Sequence, residues 1–191
     1  MITTRFVDVE AADGTGERGA RLAVHTAGRG PLALLVHGFP LDLRMWLDVL
    51  HGPLQQRRTL CAVDLRGHGD SPYQGDQVHT MERFADALAA VVRGLGDEPV
   101  DLAGLSMGGY VAFAFAARHP ELLRSLVLTN TRASADNDAQ RKGRDASIAQ
   151  VVERGRGPVV EAMLPKLLAP GADPLLQARL EDLAWASVAG G

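Results

Sequence analysis

Residues 100–118 read VDLAGLSMGGYVAFAFAAR, and this stretch decides the fold. It opens with a short apolar run, residues 100–103, which predicts a buried strand because it is apolar on both faces. The run 107–118 predicts a helix that is apolar nearly all round, so we expect that helix to be buried. The glycine-rich segment between the two runs predicts a sharp turn from strand to helix.

The turn itself, residues 104–108 (GLSMG), fits the pattern G-x-S-x-G. With six serines and 21 glycines in the chain, chance gives roughly 0.07 such matches. A turn of this kind pushes a serine hydroxyl out of the carboxyl edge of the sheet, and the helix after it directs free N–H groups at an oxyanion. The pattern therefore predicts Ser106 as a nucleophile; the alternative is a glycine-rich turn with an incidental serine.

Strand and helix patterns alternate along the first two thirds of the chain. The predicted elements are a hairpin with strands at 4–9 and 21–25 and a turn at 13–16, further strands at 32–36, 59–63 and 123–128, and helices at 43–56 and from Thr80, its N-cap, to 95. This alternation predicts an α/β fold with a mostly parallel, doubly wound sheet.

The pattern changes after Thr129. The remainder contains no convincing strand and predicts helices at about 135–154, 159–168 and 174–187, with Pro165 starting or kinking a turn. We therefore predict a core over residues 1–129 and a helical cap or lid segment over residues 130–191. Asp136 has two interpretations, the N-cap of the first cap helix or a catalytic acid, and the N-cap is favoured.

Three segments together resemble the α/β-hydrolase superfamily: VHGFP at 36–40, DLRGHGDS at 64–71 and GLSMGG at 104–109. Within it, the chain looks like the serine esterases with a helical cap, a group that includes enol-lactonases, perhydrolases and carbon–carbon bond hydrolases. The resemblance implies that Ser106 is the nucleophile and that the backbone N–H groups of Phe39 and Met107 form the oxyanion hole. A serine at this turn, in place of an aspartate, argues against dehalogenase and epoxide-hydrolase chemistry.

In that family the acid and then the histidine base follow the cap, but no histidine of this chain follows His119. His119 lies about twelve residues along the helix that Ser106 begins, at ~1.5 Å per residue, too far away for a hydrogen bond. Of the histidines on loops at the carboxyl edge (His37, His68 and His79), His37 is the least implausible substitute, although we expect it to shape the oxyanion loop. We expect the catalytic acid and base to be absent, the chain to be truncated without the last strands, and the cap to be incomplete.

Composition excludes several other classes of function. The net charge is −3 and no basic block occurs, which argues against nucleic-acid and membrane partners. Cys61 is the single cysteine and no signal pattern precedes the first strand, so we expect a cytoplasmic protein. The scattered histidines predict no metal site, and no G-x-G-x-x-G follows a strand, so no cofactor is predicted.

These features predict a serine hydrolase that acts on small carboxylic esters or related acyl compounds, with little activity as this chain alone. His37, Leu41 and Trp185 are candidate pocket residues. The alternative is a non-catalytic binding module that retains the hydrolase pocket. Besides an ester-like small molecule, the candidate partners are a second copy, bound through an exposed sheet edge, or a complementing C-terminal chain.

Overall fold

The computed structural model describes residues 1–9, 20–73 and 78–189, so the predicted turn at 13–16 lies outside the described residues. The strands are β1 (Thr3–Val9), β2 (Ala20–Gly28), β3 (Leu32–Val36), β4 (Thr59–Val63), β5 (Val100–Leu105) and β6 (Leu123–Thr129). The α-helices are α1 (Leu47–His51), α2 (Met81–Leu95), α3 (Met107–Arg118), α4 (Asp138–Arg154), α5 (Gly157–Leu167) and α6 (Pro174–Ala189), and 3-10 helices span Leu43–Trp46, Pro53–Gln56 and Pro120–Leu122.

The strands of the described residues form one sheet in the order β1-β2-β4-β3-β5-β6. The three pairings among β4, β3, β5 and β6 are parallel, and β2 pairs antiparallel with both β1 and β4. Val36 of β3 lies opposite Val63 of β4 and Gly104 of β5. The loops that follow these three strands therefore meet at one edge of the sheet, as the α/β prediction requires.

Apolar side chains cover both faces of the sheet. On one face, Leu102 of β5 packs with Leu88 of α2 and Phe115 of α3. On the other face, Leu35 packs with residues such as Leu50 in the segment between β3 and β4. Helices on two faces of a mostly parallel sheet confirm the doubly wound α/β fold. The predicted Thr80 cap is also present, since the Thr80 side chain accepts a hydrogen bond from the Arg83 N–H at 3.2 Å.

The helix predicted over residues 43–56 is wrong as a single element. The segment divides into a 3-10 helix, the short helix α1 and a second 3-10 helix. Gly52 is extended (φ −73°, ψ 176°) and Pro53 follows it. Because proline has no N–H to donate and the residue before it disfavours helical angles, an α-helix cannot continue through this pair.

The first two helices after β6 begin at other residues than predicted, whereas the third begins at Pro174 as predicted. Asn137, and not Asp136, caps α4, and its side chain and that of Gln140 form a reciprocal capping box. Asp136 does not cap because its carboxylate binds the guanidinium groups of Arg132 and Arg144. Pro165 neither starts a turn nor ends the helix, since it lies inside the last turn of α5.

Helix α3 is only partly buried, contrary to the expectation of an apolar helix enclosed on all sides. Val111, Ala112 and Phe115 are buried against the sheet and α2, whereas Tyr110 and Phe113 are half-buried. The neighbouring strand β6 lies at the edge of the described sheet and its side chains are also open, with Val127 52% exposed. The sheet is thus open to solvent around β6.

The inward face of α3 should carry most of its contribution to stability. We expect Phe115→Ala to lower the free energy of unfolding by about 3–5 kcal/mol, because the ring is completely buried and its loss leaves a cavity. Phe113→Ala, the same substitution on the half-buried side of the same helix, is the matched control and should cost clearly less. Urea unfolding followed by circular dichroism measures both losses, and equal losses would contradict this account of the core.

Candidate active site

Ser106 lies between β5 and α3 with an unusual backbone, φ 50° and ψ −111°. A side-chain-bearing residue at positive φ costs about 1–3 kcal/mol, so the surrounding structure must hold it in place. The Ser106 N–H donates to the Thr129 carbonyl at 3.0 Å, and the Ser106 carbonyl accepts from the Gly109 N–H at 3.0 Å and from the Thr131 hydroxyl at 2.8 Å. Hydrogen bonds on both sides of the serine therefore hold the strained turn.

The glycines of the turn allow the backbones to approach closely. A Cβ on Gly104 would lie 2.3 Å from the Gly108 carbonyl oxygen, and a Cβ on Gly108 would lie 2.4 Å from the Val36 carbonyl oxygen. A Cβ on Gly38 would lie 3.2 Å from the Ser106 Cβ. The start of α3, the end of β3 and the turn after β3 therefore meet at Ser106.

The two predicted oxyanion donors belong to these neighbouring segments. Met107 is the first residue of α3, so its N–H has no acceptor within the helix. Phe39 follows Gly38 in a turn that is closed by a hydrogen bond from the Leu41 N–H to the Gly38 carbonyl at 2.9 Å. The fold brings both segments beside Ser106, and the oxyanion role of their amides stays a prediction.

His37 is completely buried in the base of this turn. Its Nε2 accepts a hydrogen bond from the Leu65 N–H at 3.1 Å, so Nδ1 carries the proton and donates it to the Gly38 carbonyl at 3.2 Å. Burial lowers the pKa of His37 to about 3, and the neighbouring His68 acts in the same direction. The imidazole is neutral and fully hydrogen-bonded, which is the arrangement of a residue that shapes the loop.

The loop after β4 is held by a buried carboxylate. Asp64 accepts from the Leu43 N–H at 2.7 Å and from the Asp70 N–H at 2.9 Å, and its backbone carbonyl accepts from the Ser71 hydroxyl at 2.8 Å. Burial raises the pKa of Asp64 to about 7. These contacts connect the loop after β4 to Leu43, in the segment that follows the turn at Gly38, and assign the aspartate a structural task.

Three further histidines contact groups other than Ser106. The His119 Nε2 lies 2.8 Å from an Asp86 carboxylate oxygen, the His79 ring stacks on Phe84, and the His68 Nδ1 lies 3.3 Å from the Arg66 carbonyl. Within the described ranges, no histidine is hydrogen-bonded to Ser106. Asp136 is also engaged, and the Arg144 guanidinium lowers the pKa of its carboxyl.

The candidate pocket residues lie in different environments. Leu41 is buried among Val160 of α5 and Ala184 of α6, and Trp185 is 38% exposed and lies against Gly157. A cavity of about 510 Å³ lies between α5 and α6, with Leu164, Leu180 and Glu181 among its lining residues, and neither Leu41, Trp185 nor His37 lines it. The role of these three residues in a substrate pocket stays a prediction.

Asp42 is a buried residue of this region that the sequence patterns did not reveal. Its carboxylate binds the Arg44 side chain and also accepts a hydrogen bond from the Ser187 hydroxyl at 2.6 Å. An aspartate before a helical turn indicates an N-cap, and Asp42 does accept the Arg44 N–H at 2.9 Å. No local signal could show the contact with Ser187, because the two residues are 145 positions apart.

The part of the chain that the structure describes contains neither a cluster of potential metal ligands nor a membrane-spanning helix. There, no group of three or more histidine, cysteine, aspartate or glutamate side chains could hold a metal ion. No described helix is long and apolar enough to cross a membrane.

An α/β sheet with a strained serine between a central strand and a buried helix defines a hydrolase-like class of protein. Residues 31–165 match the family described as alpha/beta hydrolase fold, and the chain belongs to that family. A pimeloyl-[acyl-carrier protein] methyl ester esterase from a serogroup A strain of Neisseria meningitidis is 35% identical in an alignment of 157 residues, and the match covers 78% of this chain and 48% of the relative. The enzyme of that name from a serogroup C strain is also 35% identical, over 59% of its length, so the chain spans about half to three fifths of these relatives.

Solved structures agree with this assignment. A thermophilic esterase from Thermogutta terrifontis is 34% identical with a TM-score of 0.87, and the match covers 96% of this chain and 68% of that one. A hydrolase from Pseudomonas aeruginosa PA01 is 26% identical with a TM-score of 0.79, over 97% of this chain and 70% of that one. These matches confirm the predicted resemblance to the α/β hydrolases.

The buried His37 should not titrate in the physiological range. We expect its ring to stay neutral from pH 8 to pH 5, because burial lowers its pKa to about 3. Free histidine in the same sample titrates with a pKa of about 6.5 and serves as the reference. Since the folded-state pKa lies below the unfolded value, the stability that this group contributes is complete above about pH 6.5 and is lost towards about pH 3. Imidazole ¹⁵N chemical shifts, assigned with His37→Gln, measure the titration, and a midpoint near 6.5 for His37 would contradict the assignment.

Proposed function

We propose that this chain carries the nucleophile half of a serine esterase that acts on small carboxylic esters or related acyl compounds. The strained backbone of Ser106, at the N-terminus of α3 and beside the turn at Gly38, is the observation that carries the proposal. In this proposal the Ser106 hydroxyl lies between the Phe39 and Met107 segments, and their two backbone N–H groups form the oxyanion site that acyl transfer requires. The methyl ester in the names of the Neisseria relatives supports the choice of an ester substrate.

In the proposed reaction, the Ser106 oxygen attacks the carbonyl carbon of the ester. The carbonyl oxygen becomes an oxyanion that accepts hydrogen bonds from the Phe39 and Met107 N–H groups. The bond to the alcohol then breaks, the alcohol leaves with a proton, and water releases the acid from the acyl-serine. Both steps require a base that accepts a proton and later returns it.

The base is the part of this mechanism that the six histidines do not supply, since none of them is hydrogen-bonded to Ser106 among the described residues. We propose that a group outside these 191 residues provides it. Without the base, a serine hydrolase loses about 10⁶ in turnover and keeps roughly 10³–10⁴ over water from binding and the oxyanion hole. The isolated chain is therefore a slow acyl acceptor in this proposal.

A binding module without catalysis is the second candidate. The observation that favours it is the Ser106 hydroxyl, which has no hydrogen-bonded histidine among the described residues. A module of this kind would bind an ester-like molecule with the same affinity after Ser106→Ala. A serine esterase, by contrast, would lose its covalent product with that substitution.

The open edge of the sheet supports a proposal about partners. β6 is paired only with β5 in the described sheet, and its Val127 side chain is 52% exposed. An edge with free N–H and C=O groups and apolar side chains is a template for another strand. We propose that β6 binds a second polypeptide, either another copy or a chain that supplies the acid and base, and that this takes place in the cytoplasm.

Acetylation of Ser106 tests the nucleophile. With p-nitrophenyl acetate we expect the wild-type chain to gain one acetyl group slowly, because the oxyanion site acts without a base, and we expect Ser106→Ala to gain none. Intact-protein mass spectrometry and p-nitrophenolate release measure the two outcomes. Ser147→Ala is the control, because Ser147 is an exposed serine of α4.

Acetylation that persists in Ser106→Ala would refute Ser106 as the nucleophile. Fast turnover that depends on Ser106, about 1 s⁻¹ or more, would instead show that the chain contains its own base.

A charged side chain on β6 tests whether the edge of this strand mediates self-association. We expect the wild-type chain to self-associate with increasing concentration and Val127→Lys to shift it towards the monomer, because a charged side chain on an edge strand opposes pairing. Light scattering after size-exclusion chromatography measures the mass. The control is Val152→Lys on α4, where the valine is 84% exposed and no sheet edge is near in sequence. A wild-type chain that stays monomeric at all concentrations would contradict self-association.

A further inference from the structure

Helix α6, the last helix of the proposed cap, lies along residues 41–48. These residues follow the turn at Gly38 that holds Phe39, which is called the oxyanion turn below. At one end, Arg179 donates to both carboxylate oxygens of Asp48 at 3.0 Å. In the middle, Ala184 packs against Leu41, and at the other end the Ser187 hydroxyl reaches Asp42. Helix α6 therefore contacts this segment at three points along its length, with Arg179 near one end of the segment and Ser187 near the other.

Asp42 is the polar centre of this contact. Its carboxylate has no exposed surface, and one oxygen accepts from the Arg44 N–H and Nε–H groups, each at 2.9 Å. The other oxygen accepts from the Arg44 Nη2 and from the Ser187 hydroxyl. A buried carboxylate is costly unless its lone pairs are satisfied, so the loss of one donor matters at this position.

Ser187 has one hydroxyl proton and two acceptors within reach. Asp42 Oδ2 lies at 2.6 Å and the Leu183 carbonyl, one turn back in α6, lies at 2.8 Å. The carboxylate is the stronger acceptor, which favours the docked helix. If α6 moves away, the hydroxyl still has the Leu183 carbonyl, so the helix side of the contact opens at little cost.

On the core side, Asp42 is directly connected to the oxyanion turn. The hydrogen bond from the Leu41 N–H to the Gly38 carbonyl closes the turn that holds Phe39, and Asp42 is the next residue. On the other side of Asp42, the Leu43 N–H donates a hydrogen bond to the Asp64 carboxylate at 2.7 Å. A displacement of Asp42 therefore acts on the turn, because the segment beyond it is anchored.

We propose that the hydrogen bond between Asp42 and Ser187 is a latch that holds cap helix α6 on residues 41–48. Docking of the cap and placement of the Phe39 N–H then occur together. Asp42 is thus a positioning residue that acts through the turn at Gly38. The catalytic consequence rests on the proposed function, in which Phe39 is an oxyanion donor. The physical coupling between α6 and the turn is independent of it.

The two tryptophans of the chain flank the latch, Trp46 in the 3-10 helix after Asp42 and Trp185 two residues before Ser187. In Ser187→Ala, we expect acrylamide quenching of Trp185 to rise by about twofold, because its ring is 38% exposed in the docked helix and open to solvent in an undocked one. The contribution of Trp46 is measured in Trp185→Phe and subtracted. Ser187→Thr keeps the hydroxyl and should restore the wild-type value.

Ser147→Ala is the matched control for this experiment. Ser147 donates to the Gly143 carbonyl one turn back at 3.0 Å, as Ser187 does to the Leu183 carbonyl, but among the described residues it has no hydrogen-bond partner on another element. Hydrogen-exchange mass spectrometry of residues 38–46 supplies the second readout. We expect exchange there to increase in Ser187→Ala and to stay unchanged in Ser147→Ala.

The outcomes separate the latch from the proposed function. A rise in both quenching and exchange in Ser187→Ala supports the latch. Unchanged quenching, or a rise in quenching with unchanged exchange at 38–46, overturns it. The acetylation rate of Ser106 should fall by about tenfold in Ser187→Ala, since a displaced oxyanion donor loses part of its effect. A wild-type chain that is never acetylated refutes the proposed function, while quenching and exchange still decide the latch.

Discussion

The close contact between the start of α3 and the end of β3 is the constraint on which the site depends. Gly108 approaches the Val36 carbonyl so closely that a Cβ would lie 2.4 Å from it. The helix must therefore begin directly at the sheet edge, and the chain can turn from β5 into α3 only through the positive φ of Ser106. Packing of backbone against backbone, and not the chemistry of the serine, thus determines where the hydroxyl is presented.

Buried polar groups connect the loops at this edge of the sheet through hydrogen bonds. His37 joins the turn after β3 to Leu65, Asp64 joins the loop after β4 to Leu43, and the Ser71 hydroxyl accepts the Ala23 N–H at 2.9 Å. Each group uses its hydrogen bonds to connect two segments, so a mobile edge would leave buried donors unpaired. Both ring nitrogens of His37 are used in hydrogen bonds of this kind, so the neutral, buried ring does not take part in proton transfer in the proposed mechanism.

Sequence patterns predicted the features that depend on residues close together in the chain. The limits of α3, residues 107–118, and the cap at Thr80 follow from apolar spacing and capping, and both were predicted from the sequence. The predicted helix over 43–56 failed at Gly52, where an extended backbone leads into a proline. The contact between Asp42 and Ser187 joins positions 145 residues apart, so no spacing rule contains it. The placement of the Phe39 segment beside Ser106 follows from the adjacency of the parallel strands β3 and β5. The alternation of elements predicted a parallel sheet but not this strand order.

The open edge of β6 has a consequence for symmetry. If two copies pair β6 with β6 about a twofold axis, each covers the edge of the other and the assembly closes as a dimer. If the β6 of one copy instead pairs with β1, the strand at the opposite edge of the described sheet, every added copy exposes another edge. Such growth does not close and produces a filament. The choice of partner edge therefore decides between a discrete particle and a polymer.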